Sequence, residues 1–77
     1  MDVNTKNKIS QKDYKLGRYL QKIRQSKDVT QEELAEKIGT SQTWVAYIET
    51  GRNKPNLKML EKIARALGVK VKDLIPF

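Results

Sequence analysis

From Ser10 onward apolar residues recur at helical intervals, and small or polar residues interrupt them at short distances. Leu16, Leu20 and Ile23 stand at i, i+4 and i+7 and so share one face of a helix. That spacing predicts a first helix over roughly Gln11 to Ser26, with Ser10 and Asp13 placed to cap its start. Gly17 falls inside this helix, where glycine costs about 0.5–1 kcal/mol relative to alanine. Either another backbone passes close to it or the helix simply tolerates it. Thr30 and Glu33 have the spacing of a capping box ahead of Leu34, Ala35 and Ile38, which predicts a second helix over Gln31 to Ile38, stopped by Gly39. Ser41 can cap a third helix over Gln42 to Thr50, with Val45 and Ile48 inward and Gly51 at its end. Gly39, Thr40 and Ser41 leave room only for a sharp reversal between the two, the arrangement of a helix-turn-helix.

Pro55 lacks an amide donor and pushes Lys54 out of helical geometry, so Arg52 to Pro55 reads as a loop. Asn56 then caps a fourth helix whose apolar stripe is Leu57, Leu60, Ile63, Ala64 and Leu67, with Lys58, Lys62 and Arg65 facing outward and Gly68 at its end. A last helical turn is expected over Val71 to Leu74, before Pro76. No segment alternates with period two, and no repeat is visible. The expected fold is all-α, five short helices around one core over residues 10–77, preceded by a flexible basic tail over residues 1–9 that carries Lys6 and Lys8.

Composition narrows the chemistry. A chain of 77 residues buries only about 60% of its unfolded surface, room for one small core. No run approaches the roughly 18 apolar residues of a membrane span, and the first ten residues hold no signal-like apolar stretch, so a soluble cytoplasmic protein is expected. Cysteine and histidine are both absent. That removes disulfides, thiolate chemistry, the usual zinc ligands and the commonest general base. With no glycine-rich phosphate loop and no paired carboxylates either, no enzyme activity, cofactor or metal is expected.

The formal charge of +7 and a pI near 9.8 favour an anionic partner, nucleic acid first. The charge is unevenly placed. Residues 1–27 hold eight basic and two acidic side chains, 28–51 one and five, and 52–77 seven and two. The third helix is therefore not the basic part, which suits base readout: side chains matching donor and acceptor patterns belong in the groove, with cations flanking them on phosphates. Gln42, Thr43, Trp44, Ala46 and Tyr47 offer amide, hydroxyl, methyl and aromatic groups, while Arg52, Lys54 and the first helix can supply cations. The alternative is a short surface helix whose polar groups are only solvated. Glu32 and Glu33 oppose DNA by sign, but in the first turn of a helix the dipole favours acid, a structural role.

Leu16 to Leu74 resembles the DNA-binding domains of the phage Cro and repressor type, the XRE-like or lambda-repressor-like helix-turn-helix family of bacterial regulators. The resemblance rests on Arg24, on Thr30-Gln31-Glu32-Glu33-Leu34-Ala35, on Gly39-Thr40-Ser41-Gln42, on Ile48-Glu49-Thr50-Gly51-Arg52, and on Leu60 to Leu67 with Gly68-Val69. It implies that Gln42, Thr43 and Tyr47 read bases, Gln42 pairing with an adenine edge. It puts Gln31, Ser41, Trp44, Arg52, Asn53 and Lys54 on the DNA backbone, with Gln31 at a helix N-terminus facing a phosphate and Trp44 packing at the rim. It also makes Arg24 and Glu49 a partly buried structural ion pair.

The function implied is sequence-specific regulation of transcription, most simply repression, by a dimer whose two recognition helices enter successive major grooves of double-stranded DNA about 34 Å apart. The homodimer is expected to be weak in solution and to use Ile75 and Phe77, apolar residues left over once the core helices are complete. Two other readings share the fold: an antitoxin that binds a toxin protein and represses its own operon, and a protein-interaction module that binds no DNA.

Overall fold

The computed structural model describes residues 9–77. Among them are α1 (Gln11–Ser26), α2 (Gln31–Ile38), α3 (Gln42–Glu49) and α4 (Leu57–Leu67), then a 3-10 turn over Val71–Leu74. The fifth helical element is thus that single tight turn. No described residue lies in a strand, and no helix is long and apolar enough to cross a membrane. Apart from Ile9, the tail expected over residues 1–9 lies outside the described residues.

Each α-helix begins where a short polar side chain can accept from an amide three residues on. The Asp13 amide donates to Ser10 Oγ at 3.0 Å, the Trp44 amide to Ser41 Oγ at 3.1 Å and the Met59 amide to Asn56 Oδ1 at 2.8 Å. Thr30 and Glu33 close the full capping box, with the Glu33 amide on Thr30 Oγ1 at 3.0 Å and the Thr30 amide on Glu33 Oε1 at 2.8 Å. Those bonds, the Thr30 backbone amide first, hold the Glu33 carboxyl below its ordinary value. A carboxyl lowered by folding stabilises the fold above its unfolded value, and that contribution fades as the pH falls through the folded one. Thr30→Ala is expected to cost about 1 kcal/mol, read as a lower urea midpoint with an unchanged slope.

α3 stops one residue short of the Thr50 expected from its sequence. The Thr50 amide still reaches the Ala46 carbonyl at 3.0 Å, but Gly51, at φ +80°, turns the chain away.

Every element contributes to the core. Leu20 of α1, Leu34 of α2, Val45 and Ile48 of α3, Ile63 of α4 and Leu74 of the final turn are almost fully buried in one cluster. α1 packs on α3, α2 on α3 and α4, and the final turn closes against α4 and α1. Gly17 is where α1 meets the end of α3: a Cβ there would lie 2.7 Å from the Glu49 carbonyl oxygen and closer still to that of Ile48. The interior glycine marks a close backbone approach. Leu57, expected in the α4 stripe, is 64% exposed, because at that end of α4 the cluster reaches only to Leu60 and Met59. At the carboxyl end Leu74 enters the core, whereas Ile75 and Phe77 remain exposed.

Candidate nucleic-acid interface

The Gly39-Thr40-Ser41 turn sets the first residues of α2 and α3 beside one another. Gly39 takes φ +75° and its amide stays on the Glu36 carbonyl, so α2 ends in the left-handed step that redirects the chain. Within three residues the Ser41 hydroxyl caps α3. Val45 and Ile48 fasten α3 to the core, which leaves Gln42, Thr43 and Tyr47 on its exposed side. The spacing of Thr43 and Tyr47 places both on one face.

Behind that face lies the ion pair. Arg24 and Glu49 are 6% and 2% exposed, and the guanidinium donates from Nε to Glu49 Oε2 at 2.6 Å and from Nη2 to Oε1 at 3.1 Å. Its Nη1 donates to the Val29 carbonyl at 2.7 Å, joining α1 to the loop before α2 as well. The pair is buried, bidentate and supplied with a further acceptor, the geometry in which opposite charges are stable away from water.

Glu49 takes one more donor. Gln31 Nε2 gives it a bond at 2.9 Å to Oε1. A carboxylate can only accept, so the Gln31 amide must turn its NH2 inward and its carbonyl outward. Gln42 Nε2 faces that carbonyl at 3.4 Å, which leaves the Gln42 carbonyl and its second N–H free. Thus the structure ties the Gln31 side chain, expected on a phosphate, to Glu49 and Gln42. Trp44 packs partly against the core cluster, with Ile23 and Val29 among its other half-buried members.

The loop after α3 is tied to Tyr47. The amides of Arg52 and Asn53 both donate to the Tyr47 carbonyl, at 2.8 and 3.2 Å, and the Arg52 guanidinium stands 5.7 Å from the centre of the Tyr47 ring. Arg52 and Lys54 are exposed, Asn53 is half-buried, and buried Pro55 anchors the loop. Uncharged hydrogen-bonding groups therefore project from α3 with two cations alongside. Sequence reasoning missed the links from Gln31 to Glu49 and from Arg52 to the Tyr47 ring. The first joins residues 18 apart and depends on tertiary packing. The second had a signal in the aromatic followed five positions later by arginine.

Two short helices crossing at a tight turn, the second with one exposed hydrogen-bonding face, define a helix-turn-helix protein. Residues 20–74 match the family model described as helix-turn-helix, and the chain belongs to that family. It is 39% identical over 64 residues to multiprotein-bridging factor 1 of Candida albicans, covering 83% of this chain and 42% of that one. The chain spans less than half the length of such curated relatives. Among solved structures, the restriction-modification controller protein C.AhdI from Aeromonas hydrophila superposes with a TM-score of 0.78 at 31% identity, over 80% of this chain and 90% of that one. The biofilm master regulator SinR, solved in complex with DNA, superposes with a TM-score of 0.71 at 32% identity, over 77% and 95%.

Proposed function

We propose that this chain is a sequence-specific DNA-binding regulator of transcription, most simply a repressor, acting as a dimer on a two-fold symmetric operator. The observation that carries the reading is the exposed face of α3: Gln42, Thr43 and Tyr47, uncharged and free to hydrogen-bond, beside Arg52 and Lys54. The likeness to SinR, a regulator solved with DNA, supports the same reading. In this reading α3 enters the major groove. The free Gln42 carbonyl accepts from the adenine N6 amine while its N–H donates to N7, Thr43 touches a thymine methyl, and Tyr47 reaches the neighbouring base or phosphate. Gln31, Ser41, Trp44, Arg52, Asn53 and Lys54 hold the duplex backbone, with Gln31 acting through its hold on Gln42 and the amides of the α2 N-terminus. Ile75 and Phe77 supply apolar surface for the second copy.

The test begins by selecting bound sequences from random duplex DNA. On the selected operator Gln42→Ala is expected to cost about 1–3 kcal/mol and to relax preference at one base pair per half-site. Equal losses on the operator and on a duplex changed at that base pair would move readout to Thr43 and Tyr47. Lys54→Ala is expected to weaken all sequences alike and to reduce the salt slope of log K by about 0.9 per site, measured by titration at several salt concentrations.

A further inference from the structure

The face of α1 turned away from the core carries a second basic surface. Lys15, Arg18 and Lys22 are exposed at spacings of three and four, so they form one stripe along the helix, and none of them has a carboxylate partner among the described residues. Tyr14 and Tyr19 flank the stripe, 49% and 39% exposed, and with Pro76 from the carboxyl end they complete a cleft of about 310 Å³. Cations of the first helix were expected to help hold DNA phosphates, but the backbone contacts proposed above draw on Arg52 and Lys54 and on none of these groups. All but Lys22 lie outside residues 20–74, the span shared with the family. Gly17 faces α3 and the stripe stands roughly opposite on α1, while at the Tyr14 end the helix backbone lies against Gly51, next to the Arg52 loop.

We infer that this cleft is a docking site for an acidic amphipathic segment of a partner protein. The carboxylates of such a segment answer the three cations, and an apolar side chain fills the space between the tyrosines and Pro76. A phosphate backbone would use the cations and leave Pro76 without a partner. A second copy on the stripe itself is disfavoured by charge, since a two-fold contact there would set lysine and arginine against themselves; the copy proposed on Ile75 and Phe77 would stand beside Pro76 and leave the stripe open.

The experiment titrates the full chain, at physiological salt, with a fluorescein-labelled helix-forming peptide carrying glutamates one turn apart and a central Leu-Phe pair. The controls are the same peptide with that pair replaced by Gln-Ser, and single-stranded oligothymidylate. The first peptide is expected to bind about tenfold more tightly than its polar control. Lys15→Glu, Arg18→Glu and Lys22→Glu together should abolish the binding, and Gln42→Ala should leave it unchanged. Amide shifts of the wild-type protein should move over residues 14–22 and not in α3, a readout that does not depend on the variant folding. Equal binding of both peptides, or shifts confined elsewhere, would overturn the proposal. So would oligothymidylate binding tighter than the peptide and lost with the three reversals, or the same shifts appearing on concentrating the protein alone.

Discussion

Glu49→Ala is expected to lower the free energy of unfolding by about 3–5 kcal/mol, because it strands the Arg24 guanidinium inside the fold. Arg24 keeps only the Val29 carbonyl at 2.7 Å, and its Nε and Nη2, now without the carboxylate, stay cut off from water. The penalty belongs to the uncompensated charge more than to the lost attraction, so replacing Arg24 with Met and Glu49 with Leu together should cost less than the single change. Urea denaturation of the two single variants and the double variant measures this. A loss below about 1 kcal/mol in Glu49→Ala would put the pair in the class of solvent-screened surface bridges.

Gly17→Ala is expected to be nearly as damaging, and the two opposing effects can be weighed. Alanine favours the helix by about 1 kcal/mol over glycine. Its methyl, however, would press into the carbonyl oxygens of Ile48 and Glu49, which are backbone and cannot rotate aside. Overpacking typically costs about 1–3 kcal/mol, and a collision with main chain lies at or beyond the top of that range, so α1 must lift off α3 and, after the helix gain, the net loss should be about 2 kcal/mol or more. Because the contact adjoins Glu49, Gly17→Ala and Glu49→Ala should combine non-additively. A rise in melting temperature in Gly17→Ala would show that α1 and α3 can separate freely.

The elements of the fold were legible because their signals are local. Ser10, Thr30, Ser41 and Asn56 each bond an amide three residues ahead, and the glycines at 39, 51 and 68 take the positive φ that turns the chain, so the boundaries fall almost where the residues place them. Leu57 misled, since its register fits the α4 stripe but the cluster ends before reaching it. In the site, resemblance supplied the pairing of Arg24 with Glu49. The inward turn of the Gln31 amide was out of reach, since it depends on a carboxylate that arrives from another helix. Gly17 showed in the sequence as an anomaly, and only the packing of α1 on α3 gives it a cause.

α3 divides its labour by face: Val45 and Ile48 fasten it to the body of the protein, Ser41 closes its start from outside, and Gln42, Thr43 and Tyr47 stand outside the core cluster. Exchanges at such exposed positions usually shift stability by no more than about 0.5 kcal/mol. Substitutions at those three positions are therefore expected to be milder for stability than substitutions at Val45 or Ile48. In the proposed reading, target preference can thus be altered at these positions with little change in stability, and a change at Gln42 also gives up its bond to Gln31.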